Sequence, residues 1–263
     1  MSLMVRHINT VNWLGLATLC KREVRRFLKV IVQTVLAPAI TTLLFLAIFA
    51  LALGRDGAMV GGVPFLEFLA PGLIMMAMMQ NAFANTSSSL IIAKVQGNII
   101  DLVMPPLSPL ELTIGLAVGG VVRALVVGGA VALSMAPFIP LHLAHLGWLI
   151  YYGFSASLLL ALLGIAAGLW SEKFEHLASV TNFIITPLSF LSGTFYSIER
   201  LPEFFRHLAL ANPFFHLIDG FRHAMIGHAD GPLGLGALIV GFVTLALALL
   251  CHRLFKIGYR LKN

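Results

Sequence analysis

The chain has 263 residues, 59% of them hydrophobic and 11% charged, and 17 Lys and Arg against 11 Asp and Glu give it a formal net charge of +6. A soluble domain carries about 25% charged residues, and a core grows too slowly with chain length to hide so large an apolar share. A soluble enzyme is excluded, and lipid is the solvent that remains. The basic residues gather at the two chain ends beside apolar runs. Nucleic-acid binding would need them as a patch on a folded domain, whereas this placement follows the positive-inside bias of membrane proteins.

Residues 1–29 do not read as a cleavable signal, because their charge comes late, at Lys21, Arg22, Arg25, Arg26 and Lys29. Thr10 to Lys29 reads as an amphipathic helix, with Leu14, Ala17, Cys20, Val24, Phe27 and Leu28 on one face and the basic residues mainly on the other. Such a helix lies in the headgroup plane with its basic face toward anionic lipid. Docking of a soluble partner on the same face is the sharper alternative.

A spanning helix needs about 20 mostly apolar residues, and six stretches qualify: residues 30–53, 65–93, 112–136, 146–170, 177–193 and 233–255. Pro38 falls inside the first, and a polar turn at residues 54–57 follows it. The second is punctuated by Pro71-Gly72, and its later half carries Gln80, Asn81, Asn85, Thr86, Ser87, Ser88 and Ser89. Two readings fit these residues, a helix lining a polar path and hydrogen bonding between helices of a bundle. A loop at residues 94–110 holds Gly97, Asp101, Pro105, Pro106 and Pro109, residues 137–145 make a short turn, and residues 171–176 a short charged loop.

Residues 194–230 are too polar to span and too apolar for a free loop. Asn212-Pro213 divides them, since proline disfavours the helical state in the residue before it. Leu201, Phe204, Phe205 and Leu208 recur at helical spacing on one side of the break, and Phe214, Leu217, Ile218, Phe221 and Met225 on the other. Two short helices fit a re-entrant hairpin, the preferred reading, whose backbone must be buried in protein or face a watery cavity. A pair of surface-lying amphipathic helices is the alternative.

Six Lys and Arg precede the first span and four close or follow the last, so both termini are expected in the cytoplasm, which requires an even number of spans. The hairpin then lies outside. Its Arg200, Arg206 and Arg222 run against the charge rule, each with an acid nearby in sequence. Cys20 and Cys251 stand beside the cytoplasmic basic clusters, where a disulfide is not expected.

No G-x-x-x-x-G-K-[ST] phosphate loop, H-E-x-x-H or G-x-S-x-G occurs, so the chain has no such device for ATP hydrolysis, zinc proteolysis or acyl transfer. His207, His216, His223 and His228 cluster, but their spacing does not share one helical face and no ligand set completes a tetrahedron, so no metal is expected. Glu67 and Arg123 fall inside apolar segments, where a charge costs several kcal/mol. Glu67 is near enough to a span end to snorkel. Arg123 is deeper, and either pairs within the bundle or faces a cavity for an anionic group. Asn81 and Asn85 join it as candidate path residues.

Four features resemble the permease subunits of ABC type 2 exporters, six-span half-transporters that work with separate ATPase chains. They are Ala70-Pro71-Gly72-Leu73-Ile74; Gln96-Gly97-Asn98-Ile99-Ile100-Asp101-Leu102 followed by Pro105 and Leu107-Ser108-Pro109; Leu191-Ser192-Gly193 with Phe195 and Leu201-Pro202; and Ala211-Asn212-Pro213 leading to Asp219, Gly220 and Arg222. The order holds across nearly the whole chain. One departure is Ala93-Lys94-Val95-Gln96, where many relatives carry a glutamate-arginine cluster.

The resemblance implies an all-α membrane protein with six transmembrane helices and a re-entrant hairpin between spans five and six. It implies a bacterial inner-membrane homodimer bound to two copies of a soluble ATP-binding-cassette subunit, with ATP and Mg held by that partner and no cofactor in this chain. Lys94, Gln96, Gly97, Asn98, Asp101 and Leu102 would couple to the ATPase. Residues 1–29 would be the interface helix, through Lys21, Arg22, Arg25 and Arg26, and residues 30–263 the transmembrane domain. Gly193, Phe195, Pro202, Asn212, Pro213, Asp219 and Arg222 would belong to an exterior gate. The cargo would be lipid-like, glycolipid or amphipathic. A gradient-driven carrier without an ATPase is the alternative, though no internal inverted repeat of the kind common in carriers is visible.

Overall fold

In lipid, the backbone of a long uncharged segment is satisfied within the segment only by a helix. The computed structural model describes residues 11–53, 59–60 and 62–261. Thr10 of the amphipathic segment, the polar turn at residues 54–57 and Lys262 of the basic tail lie outside the described residues. Helix α1 is Trp13–Leu28 and α2 is Ile31–Leu53. A two-residue antiparallel pair, β1 (Met59–Val60) and β2 (Val63–Pro64), leads into α3, Phe65–Val95. Then come α4 (Ile99–Val103), α5 (Pro109–Met135) and α6 (Leu146–Trp170). A broken run follows: α7 (Phe174–Val180), a π-helical turn (Thr181–Ile185) and α8 (Thr186–Leu191). A 3₁₀ turn (Ile198–Arg200), α9 (Glu203–Ala211), α10 (Pro213–Ile226) and α11 (Leu233–Lys256) complete the chain.

Among the described residues, five helices, α2, α3, α5, α6 and α11, are long and apolar enough to cross a membrane. The chain is an all-α membrane protein. Helix α3 is its axis, packed by α2, α5, α6 and α10. Of its most apolar stretch 83% of residues are buried, against 17% in α2 and 11% in α11, which therefore stand on the outside of the bundle. Small residues allow the close packing: a Cβ on Gly164 or Gly168 of α6 would run into the backbone of α3 at Phe83 or Ser87.

Where element bounds differ from expectation, local chemistry accounts for it. Helix α5 starts at Pro109 rather than 112, because Ser108 caps it. The Ser108 hydroxyl accepts from the Glu111 N–H at 3.3 Å and the Glu111 carboxylate accepts from the Ser108 N–H at 2.6 Å, with proline in the first turn. The stretch expected as one span at residues 177–193 begins at Phe174 and is divided by the π turn. It still runs without a gap to Leu191, about 27 Å at 1.5 Å per residue, short for a hydrocarbon core of about 30 Å.

The bundle has two distinct ends. At the basic end lie α1, α4, the α6–α7 connection and Arg260, whose guanidinium meets the Trp170 carbonyl and Glu172. At the other, the hairpin end, α10 packs against α3, α6 and α11. The broken run returns the chain from the basic end to the hairpin end, where Leu188 accepts from Asn212 Nδ2 at 2.8 Å.

Candidate functional site

Three groups of polar residues sit on this scaffold. At the basic end, α1 is docked along α5. Asn12 caps α1 by accepting from the Gly15 N–H at 3.0 Å, donates its own N–H to the Glu111 carboxylate, and reaches the Pro106 carbonyl at 3.2 Å. One network therefore fixes the start of α1, the start of α5 and the loop between α4 and α5. The expected two-sided helix is in fact three-sided. Leu19, Glu23 and Phe27 form the stripe buried on the bundle. Trp13, Leu14 and Leu28 remain exposed on the apolar flank, and Lys21, Arg22 and Arg25 on the basic one. Phe27 has left the apolar face the sequence suggested, because the bundle takes a strip between the two flanks.

Helix α4 is short and outward. Gln96, Gly97, Asn98 and Asp101 are exposed, while Leu102 is buried and anchors the element to the core. Gly97 has φ +74°, a conformation glycine adopts without strain, and it turns the chain from α3 into α4. Lys94 is set apart from this group. It sits on the last turn of α3, and its Nζ donates to the Leu169 and Ser171 carbonyls at the carboxyl end of α6. A cation there complements the helix dipole and satisfies otherwise unpaired carbonyls.

Deeper in the bundle, a polar seam runs along α3. Glu23 is 0% exposed and meets Arg22 at 3.0 Å, Arg26 at 3.3 Å and the Ser89 hydroxyl at 3.0 Å. It can lie so close because Gly119 of α5 faces it: a Cβ there would stand 2.5 Å from Glu23 Cβ. Arg26, expected on the exposed basic face, instead turns inward to the Asn85 carbonyl, Asn85 Oδ1 at 3.0 Å and Ser88 Oγ at 3.2 Å. One turn away along α3, Asn81 Oδ1 accepts from Arg123 Nε at 3.1 Å and Nη2 at 2.9 Å. Asn81 and Ser88 also line a groove of about 390 Å³, together with Gln80, Ser87, Thr181 and Thr186. The wall opposite α3 is the broken run. A second groove of about 210 Å³ on the α2 side shares Gln80 and Asn81.

At the hairpin end, α10 is buried along almost its whole length, whereas α9 is exposed, Phe204 by 69%. Arg222, 0% exposed, ties three elements together. Its Nε donates to the Phe68 carbonyl at 3.2 Å and its Nη2 to the Gly193 carbonyl at 2.6 Å; its guanidinium lies 3.8 Å from the Phe68 ring centroid. Asp219 Oδ1 is 3.8 Å from Nη1 and accepts from the Asp230 N–H at 2.8 Å, while Oδ2 accepts from the Gly231 N–H at 2.9 Å. Asp230 in turn accepts from the Ile198 N–H at 3.0 Å. Asn212 caps α10 through the Phe214 N–H at 3.0 Å, with Pro213 in the first turn. Phe195 stacks on Phe49 and Phe190.

Comparison with known proteins decides what this scaffold is. The family model for the ABC-2 type transporter matches residues 15–226. The chain is 34% identical over 253 residues to the inner membrane transport permease YadH of Escherichia coli K12, covering 95% of this chain and 98% of that one. The chain belongs to the ABC-2 type transporter family. It is also similar to nodulation protein J of Rhizobium leguminosarum bv. viciae, at 24% identity over 94% of this chain and 96% of that one. It is therefore the membrane permease subunit of an ABC transporter, a transport subunit that crosses the membrane several times.

In this ABC-2 type permease the residues singled out from the sequence fall into separate groups. Gly193, Asp219 and Arg222 converge on one buried clasp, whereas Asn212 and Pro213 sit at the start of α10, where Asn212 ties that helix to the Leu188 carbonyl, and Phe195 stacks on Phe49 and Phe190. Pro202 stands apart, exposed at the start of α9. Asn81 and Arg123 meet directly, and Asn85 meets Arg26. Glu23 is the buried member of the seam that sequence reasoning missed. A signal for it exists: it is the lone acid among five basic residues of that segment, and it stands four residues from both Leu19 and Phe27.

Proposed function

We propose that this permease is half of the membrane portion of an ATP-driven exporter in a bacterial inner membrane. Two copies of the chain form the translocation path, and two copies of a soluble ATP-binding-cassette subunit, which bind ATP and Mg, drive it. Both termini and the basic end face the cytoplasm, and six crossings result when the broken run counts as the fifth. The α9–α10 pair re-enters from the outside, and the Arg222 clasp sets its angle against α3.

The observation that carries this reading is the basic end. The turn Gln96-Gly97-Asn98 and Asp101 of the short α4 are exposed, while Leu102 of α4 is locked into the core. The neighbouring α1 is joined to the same loop through Asn12 and Pro106. A rigid projection beside a basic helix suits a part that must transmit force from a soluble partner. A closing ATPase biases the membrane halves only through contacts that differ between states, and α4 is placed to make them.

Amphipathic or lipid-like cargo is supported by the groove between α3 and the broken run. Gln80, Asn81, Ser87, Ser88, Thr181 and Thr186 offer a polar strip, with Phe83, Leu177 and Ile185 beside it. The test is purification of the chain alone and with its co-expressed ATPase. The complex is expected to co-purify and hydrolyse ATP, and the chain alone to hydrolyse none. Hydrolysis by the chain alone, or transport that needs an ion gradient but no ATP, would overturn the reading.

A further inference from the structure

Three arginines lie within the bundle, and one of them is partnered differently. Arg222 has Asp219 and two carbonyls, and Arg26 has Glu23, two oxygens of Asn85 and Ser88. Arg123 has the neutral Asn81 amide oxygen, and no carboxylate among the described residues pairs with it. It stands about 21 Å from the start of α5 and about 18 Å from its end at 1.5 Å per residue, one turn of α3 beyond the Asn85–Arg26 contact.

An unpaired cation at mid-membrane is costly and marks a functional site. A neutral amide satisfies N–H groups without cancelling charge. Arg26, one turn further along α3 on Asn85, has its charge matched by Glu23, which Arg22 also contacts, so this seam carries a net positive charge. Asn81, which holds Arg123, is a wall residue of both grooves flanking Gln80. Arg123 lies behind Asn81 rather than in either groove wall, so an acidic group that reached past Asn81 would supply the missing countercharge, and arginine presents donors matched to carboxylate, sulfate and phosphate.

We propose that the Arg123–Asn81 pair selects amphiphiles that carry an acidic headgroup. The inference rests on the reading of the α3 groove as the cargo path and names the class of cargo. The headgroup lies on the polar strip of α3, and the apolar part lies against Phe83, Leu177 and Ile185.

The test uses the full chain in phosphatidylcholine nanodiscs, with a photo-crosslinking amino acid in place of Ala84, which lines the groove. Three radiolabelled probes of equal acyl length are offered: lyso-phosphatidylglycerol, lyso-phosphatidylcholine and an alkyl maltoside. The acidic probe is expected to be captured about tenfold better than either other probe, a difference of about 1.4 kcal/mol. Arg123→Gln should abolish that preference and Arg123→Lys should keep part of it. Asn81→Asp, which hands Arg123 an internal carboxylate, should abolish it in a chain that still folds. Inorganic phosphate at millimolar concentration should not compete. Equal capture of the three probes, a preference that survives in Arg123→Gln or Asn81→Asp, or competition by free phosphate would overturn the proposal while leaving the groove reading intact. Capture of no probe at all would overturn both.

Discussion

The mid-depth seam and the hairpin clasp both bury arginine in an apolar bundle, and they differ in what meets the charge. In the clasp, Arg222 is matched by Asp219, two carbonyls and an aromatic face, and Asp219 is held by two backbone N–H groups. At Arg123 the partner is a neutral amide. A charge met by an opposite charge fixes one arrangement of elements even though Arg222 Nη1 makes no hydrogen bond, and removing a member leaves an uncompensated charge. A charge met by a neutral amide loses little when it goes, because the charge itself was costly. The same residue type is thus a structural rivet at one end and a recognition element in the middle.

That contrast breaks first at the clasp. Arg222→Ala should destabilise by about 3–5 kcal/mol, since it strands Asp219 in the interior. A large fall in thermal midpoint in detergent, with loss of a monodisperse peak in size exclusion, would be the readout. Glu23→Gln should cost about 1–3 kcal/mol, less than the clasp variant because the exposed Arg22 can rehydrate. Proteolysis within α1 should rise with it, since Glu23 is the buried charge that ties that helix to Ser89 of α3. Ser108→Ala should cost about 1 kcal/mol by removing the cap of α5, seen as a modest shift of the same midpoint. The smallest effect is expected at Arg123→Gln, under about 1 kcal/mol in either direction, because one hydrogen bond is lost while the costly charge goes. A midpoint that fell as far in Arg123→Gln as in Arg222→Ala would erase the distinction between rivet and recognition element.

The sequence makes some of this plain and hides the rest for physical reasons. The capping signature Ser108-x-x-Glu111 and the Asn212-Pro213 break are local, so the start of α5 and the division between α9 and α10 can be read directly from them. The five long helices follow from hydropathy. The π turn at Thr181–Ile185 is signalled only indirectly, by Pro187, whose ring displaces the i−4 bond to the Phe183 carbonyl. Lys94 looks like part of an outward loop, but its partners lie 75 and 77 residues away at the end of α6. Glu23 and Arg26 seem to belong to an exposed basic face until α3 supplies Ser89, Asn85 and Ser88 as partners and Gly119 of α5 lets Glu23 approach. Asp219 and Arg222 stand out by motif, yet their partner Phe68 lies 154 residues before Arg222, a pairing that spacing alone does not reveal.

The central claim, that the basic end mates with a separate ATPase, is tested most directly by crosslinking from two exposed positions. A photo-crosslinking amino acid replaces Ile100 on α4, which is 58% exposed, or Phe204 on α9, which is 69% exposed. Each variant is expressed with the ATPase subunit and irradiated in membranes. The account predicts an ATPase adduct from position 100 and none from position 204. An adduct from position 204, or none from position 100 in a complex that still co-purifies, would contradict it.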